Sequence, residues 1–126
     1  MADSKIKISN GELLDRISIL ELKMLRVEDH SKSAAIKREF YELNPKCVSL
    51  FTKNDSSLQV LYLELARING ELWDLENEVR KSNIRDKQFI MASKKIFKLN
   101  QTRNDIKNDI NMITGSDYLE VKQYDT

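Results

Sequence analysis

Two short segments of the chain echo one another: Asn10-Gly11-Glu12-Leu13-Leu14-Asp15 and Asn69-Gly70-Glu71-Leu72-Trp73-Asp74. Each ends in Glu-x-x-Asp, a spacing that sets two carboxylates on one face of a helix. Two such pairs brought together could hold Mg²⁺, which prefers hard oxygen ligands. Against this, Ser9 and Glu12 form a capping box, in which each side chain satisfies the other residue's free backbone N–H, so Glu12 already has a structural use. Glu71 and Asp74 fall on the helix flank opposite to Asn69, and the two acidic pairs do not obviously converge.

All-helical nucleoside triphosphate pyrophosphohydrolases use acidic helix motifs of a similar kind. Their pattern places Glu-x-x-Glu before a later Glu-x-x-Asp, and that pattern is absent here. His30 is the only histidine and lacks a His or Cys neighbour at metal-ligand spacing. Cys47 is the only cysteine, and a Cys–His nucleophile would need His30 across space. Lys94, Lys95 and Lys98 with Phe97 resemble a phosphate-binding basic helix, but acids nearly balance bases, and a solvated face is the simpler account. We therefore expect no catalytic residue, no metal and no cofactor, and nucleic acid is not an expected partner.

A second polar group is more specific. Asn69, Asn100, Arg103 and Lys107 interrupt or flank apolar seams, and Glu12 and Asp15 lie on the helix expected to cover them. Enclosed amides and cations need partners, since each buried group left unpaired costs about 1–3 kcal/mol. Glu12, Asp15, Asn69, Asn100, Arg103 and Lys107 thus form either a pocket for a small anionic ligand or an internal network that fixes helix register. For Arg103 the internal candidates are Glu64, Asp15 and Glu12.

The elements that position these residues follow from periodicity. Leu58, Leu61, Leu65, Ile68, Leu72, Leu75 and Val79 alternate steps of three and four, as do Phe89, Ala92, Ile96, Leu99, Arg103, Ile106, Ile110 and Ile113. The short polar stretch from Lys81 to Gln88 between them predicts a long antiparallel, coiled-coil-like helical hairpin. Trp73, Phe97 and Ile90 make the flank carrying Asn69 and Asn100 the more apolar one, so the first helix should dock there. That helix should start near Asn10. Its extra stripe Leu14, Ile19, Leu22 and Leu25 requires a further neighbour, either another helix or a second subunit. A short second helix is predicted from about Ser33 to Leu43, ended by Asn44-Pro45, with Cys47 to Lys53 a loop tucked on the core. Gly115 should close the last helix as a left-handed cap. A small ribbon pairing Lys5–Ile8 with Leu119–Lys122 is a further expectation.

The chain has 126 residues, a formal net charge of +1 and 33% charged residues, which suits one all-α domain over residues 1–126 and gives no global attraction to nucleic acid or acidic membranes. No stretch has the length and apolarity of a signal peptide or membrane span, and the lone cysteine suits a reducing, cytoplasmic setting.

Ile8 to Lys23, then Asn69-Gly70-Glu71-Leu72-Trp73, then Phe89-Ile90 with Leu99 to Asn111 and Gly115-Ser116, together resemble a family of short proteins classed as a domain of unknown function. It occurs in bacteria and marine phages, sometimes joined to glycosyltransferase or tetratricopeptide-repeat proteins. The family pattern carries Lys where this chain has Arg16. The resemblance implies a small helical protein and supplies no catalytic residue. From residues and resemblance together we expect a non-enzymatic protein-interaction module, homodimeric through its apolar helix surfaces. The alternative is a ligand-binding or enzymatic protein acting on a sugar phosphate or nucleotide.

Overall fold

The computed structural model describes residues 7–116. They form four helices: α1 (Asn10–Arg26), α2 (His30–Lys53), α3 (Ser56–Val79) and α4 (Asp86–Thr114). No strand occurs among the described residues. Lys7 and Ile8 belong to no regular element, while Lys5, Ile6 and Leu119–Lys122, the remainder of the expected ribbon, lie outside the described residues.

The most extensive helix contact joins α3 to α4, and α1 packs on α2, α3 and α4. One apolar cluster serves all four. Leu13, Leu14 and Ile17 come from α1, Cys47 from α2, Leu58, Leu65, Ile68 and Leu72 from α3, and Ile106 and Ile110 from α4. All but Leu14, from the extra stripe of α1, and Cys47, expected in a loop, are positions that the three-and-four rhythm places inward. The rhythm fails to bury its outer end, because Phe89 remains 46% exposed.

Helix boundaries follow local chemistry. Asp29 caps α2 by accepting the Lys32 N–H at 3.0 Å and the Ser31 hydroxyl at 2.7 Å, bonds that hold its carboxyl below the usual range. Asp55 caps α3 by accepting the Ser57 N–H at 2.9 Å. Gly115, with φ of 68°, ends α4 in the left-handed conformation, and the Ser116 N–H reaches back to the Asn111 carbonyl at 2.8 Å.

The second helix differs from expectation. It starts at His30 and runs through Pro45 to Lys53, so Asn44-Pro45 does not end it and Cys47 to Lys53 is helix, not loop. Pro45 is exposed, and so is Tyr41, the residue whose carbonyl loses its helical donor. Water can serve that carbonyl. The inward face of α2 meanwhile continues across the proline, with Phe40, Leu43, Cys47, Leu50 and Phe51 all on the core. Burial of that face outweighs one missing backbone bond. It also changes the role expected for α1's wide stripe: Leu14 is fully buried, Ile19 and Leu22 are half-buried, and only Leu25 is freely exposed.

Cys47 is 5% exposed, and burial, aided by the Glu21 charge, pushes its thiol up from 9.0 to about 11. A shift of this size lowers the thiolate fraction at pH 8 roughly hundredfold. In the native chain Cys47 should react correspondingly slowly with a disulfide reagent and at the ordinary rate in guanidinium. The folded value lies above the unfolded one, so the contribution to stability is present below pH 9 and fades as pH rises toward about 11. Replacing Pro45 by Ala should restore the missing bond and raise stability by about 1–3 kcal/mol in urea unfolding; a lower midpoint would mean that the ring itself is needed for packing.

Candidate functional site

Asp15 is the centre of the polar group. It sits in the middle of α1 and is 2% exposed. Arg103 of α4 meets it with two donors, Nε to Oδ1 at 2.9 Å and Nη2 to Oδ2 at 2.5 Å. This is the fork-to-carboxylate geometry that suits a guanidinium. Asn69 of α3 donates Nδ2 to the same Oδ1 at 2.9 Å and to the Ser18 hydroxyl at 2.7 Å. Ser18 in turn donates to the Asp15 carbonyl at 2.7 Å. One carboxylate thus links three helices. The bond to Asp15 holds the Arg103 guanidinium above its ordinary value despite partial burial.

One turn toward the start of α1, Glu12 accepts Lys107 Nζ at 2.7 Å. Next to this pair, α1 approaches α4 at backbone range. A Cβ on Gly11 would stand 2.3 Å from the Lys107 carbonyl oxygen, so no larger residue fits without moving a helix. The Gly11 N–H donates to Asn111 Oδ1 at 2.6 Å, and Asn111 is fully buried. Its Nδ2 has no hydrogen-bond partner among the described residues.

The start of α1 could in principle attract an anion, because the first N–H groups of a helix lack internal partners. Here the chain supplies them all. The Asn10 N–H donates to the Ser116 hydroxyl at 3.1 Å, Gly11 to Asn111, Glu12 to the Ser9 hydroxyl at 3.0 Å and Leu13 to the Ser9 carbonyl at 3.0 Å. Asn10 Nδ2 also reaches Thr114 Oγ1 at 2.9 Å, tying the start of α1 to the end of α4.

Of the six residues singled out from the sequence, Asp15, Asn69 and Arg103 share one cluster, and Glu12 with Lys107 forms the pair beside it. Asn100 is peripheral: it is exposed, and its Oδ1 receives only a 3.4 Å contact from Arg103. Arg103 bonds to Asp15, whereas Glu64 and Glu71 both pair with Arg67. Asp74 pairs with Arg26 at 2.7 Å, so both Glu-x-x-Asp segments have their carboxylates in cation pairs. Among the described residues no group of three or more His, Cys, Asp or Glu side chains could hold a metal ion.

Sequence reasoning missed Ser18, Asn111, Thr114 and Ser116 as partners in this group. Ser18 had a readable signal, because it lies one turn from Asp15 on the face toward Asn69. Asn111 had none, since its role depends on the close approach at Gly11.

In class this is an all-helical protein whose central charges are joined in bonds between helices. The chain belongs to the family of unknown function DUF6165, matching it over residues 4–126. No curated protein and no solved structure shows significant similarity to it.

The cluster predicts a strong coupling. Asp15→Ala strands Arg103 and Asn69, and Arg103→Ala leaves a buried carboxylate that keeps the Asn69 amide but loses its guanidinium. Each should cost on the order of 3 kcal/mol in urea unfolding. The double variant should cost clearly less than the sum of the two. Additive losses would mean that the two side chains stabilise the fold separately.

Proposed function

We propose that this protein is a non-enzymatic interaction module acting in the cytoplasm. In this reading α3 and α4 form a long antiparallel hairpin braced by α1 and α2, and the chain pairs with a second copy of itself. The observation that carries the proposal is an apolar surface shared by α3 and α4 on the side away from α1. Val60 is 65% exposed, Met112 71% and Ile113 44%. Val60 stands nine residues from Asn69, half a turn round α3 from the side chain that meets α1.

Ser57, Val60, Leu61, Asp109, Met112 and Ile113 line a shallow hollow of about 460 Å³ between the two helices. Its only charged member is Asp109, so two copies can face each other with little like-charge repulsion. Clustered exposed side chains of this size are a common mark of an interface. By contrast, Arg103 and Lys107, the cations an anionic ligand would need, already hold Asp15 and Glu12.

Light scattering on the eluting chain should give twice the chain mass, and Val60→Lys with Met112→Lys should give the single-chain mass with an unchanged melting temperature. A wild-type chain that stays monomeric at high concentration would defeat the proposal of self-pairing. A melting screen against nucleotides and sugar phosphates gives the opposing reading its chance. A ligand at a hundred times its Kd adds about 2.7 kcal/mol of apparent stability. Such a shift, lost in Arg103→Ala, would replace the interaction reading by a ligand site.

A further inference from the structure

The first half of α4 presents a second apolar surface, of a different electrical character. Phe89 is 46% exposed, Ile90 53% and Phe97 59%. With Ser93, Lys94 and Lys98 they line a notch of about 410 Å³. The residues fall in two rows of step four, Phe89-Ser93-Phe97 and Ile90-Lys94-Lys98, which is the ridge spacing of a helix surface. The small Ser93 at the centre of one row leaves a gap between two aromatic rings.

From Asp86 to Lys98 the helix carries Lys87, Lys94, Lys95 and Lys98 against the single acid Asp86. All four lysines are exposed, and none makes an ion pair among the described residues. This contrasts with Arg16, Arg26, Arg67, Lys81, Arg103 and Lys107, each of which holds a carboxylate.

The bare stretch has a structural origin. α1 bonds to α4 near its own start, through Gly11, Glu12 and Asp15. Beyond Ser18 its side chains bond to α3: Glu21 accepts from the Tyr62 hydroxyl and Arg26 donates to Asp74. The Arg26 guanidinium also lies 5.8 Å from the centre of the Trp73 ring. α1 therefore passes from α4 to α3 along its length and leaves the start of α4 uncovered.

We propose that this stretch of α4 docks an acidic amphipathic helix of a partner protein. Apolar side chains of the partner seat in the notch over Ser93, and its carboxylates meet Lys94 and Lys98. The inference rests on the interaction-module reading and gives it a second surface. A second copy of this chain that faced it with the same stretch would fit poorly, since lysines would meet lysines. A flat anionic membrane fits less well than one helix, because the apolar side chains line a notch, and a notch takes the ridge of side chains on a helix.

The test uses the full chain and a labelled synthetic helix with leucines along one face and glutamates beside them. Its lysine counterpart, phosphatidylserine vesicles and a single-stranded oligonucleotide are run in parallel. Fluorescence anisotropy should show binding of the glutamate peptide alone, weakened by salt. Phe97→Glu should weaken it roughly tenfold or more, and Lys94→Glu with Lys98→Glu should switch preference to the lysine peptide. These side chains are exposed, so the melting temperature should hold. Equal binding of both peptides, no binding of the glutamate peptide, or binding of vesicles or oligonucleotide in its place would each overturn the proposal. Light scattering on the same samples separates the two ideas: a dimer that ignores the peptide defeats this inference and leaves the self-pairing reading standing.

Discussion

A carboxylate at 2% exposure cannot stay charged without compensation, and Asp15 obtains it from helices on both sides. Arg103 on α4 and Asn69 on α3 converge on it from positions far apart in the chain. Apolar packing alone is tolerant of small slides, because leucine against leucine is nearly as good one notch along. A two-pronged guanidinium–carboxylate contact is not, since a slide of one turn would strand a charge. The three helices are thereby held at one mutual level, and that level determines where each apolar row meets its neighbour.

The second constraint is distance. Gly11 brings α1 within backbone range of α4 at Lys107, and Asn111 bridges the contact from inside the core. Further along, α1 leans on α3 through Arg26, Asp74 and Trp73. A helix tied closely to one neighbour at its start and to another at its end must cross at an angle. The crossing explains why Ile90 and Phe97, placed by sequence pattern on the flank that α1 covers, stay in solvent. It also explains why α2 can lie along α1: Leu13, Leu14 and Ile17 share the core cluster with Cys47, while Leu25, near the end of α1, is left 85% exposed.

Much of this was legible in the residues, and the failures have specific causes. The three-and-four spacing from Leu58 to Val79 and from Phe89 to Ile113 marks α3 and α4, and Gly115 marks where α4 stops. Asp15, Asn69 and Arg103 were gathered by their polarity at helix positions facing other helices, a signal local to each residue. Pro45 misled because a proline shows its backbone cost in the sequence while the compensating burial of Phe40, Leu43, Cys47 and Leu50 depends on where α2 lies. Asn100 misled for the complementary reason: its heptad position matches Asn69, but α1 has left α4 by that level. Partners of Gly11 such as Asn111 could not be read, since helix angle and approach distance are properties of the assembled core.

Charge placement separates the two kinds of polar residue in this molecule. The cations nearest the core, Arg103 and Lys107, are matched by Asp15 and Glu12, and the start of α1 is tied to the end of α4 through Asn10, Thr114 and Ser116. A matched charge lowers the free energy of the fold and has little left to offer a ligand, because binding would first break an existing pair. An unmatched lysine beside exposed phenylalanine does little for the fold, yet keeps its full capacity for an incoming carboxylate. Residues that look most like a site in one dimension can thus be those that the fold has already used. By the same reasoning, recognition is best sought where apolar surface and unsatisfied charge coincide, along the start of α4.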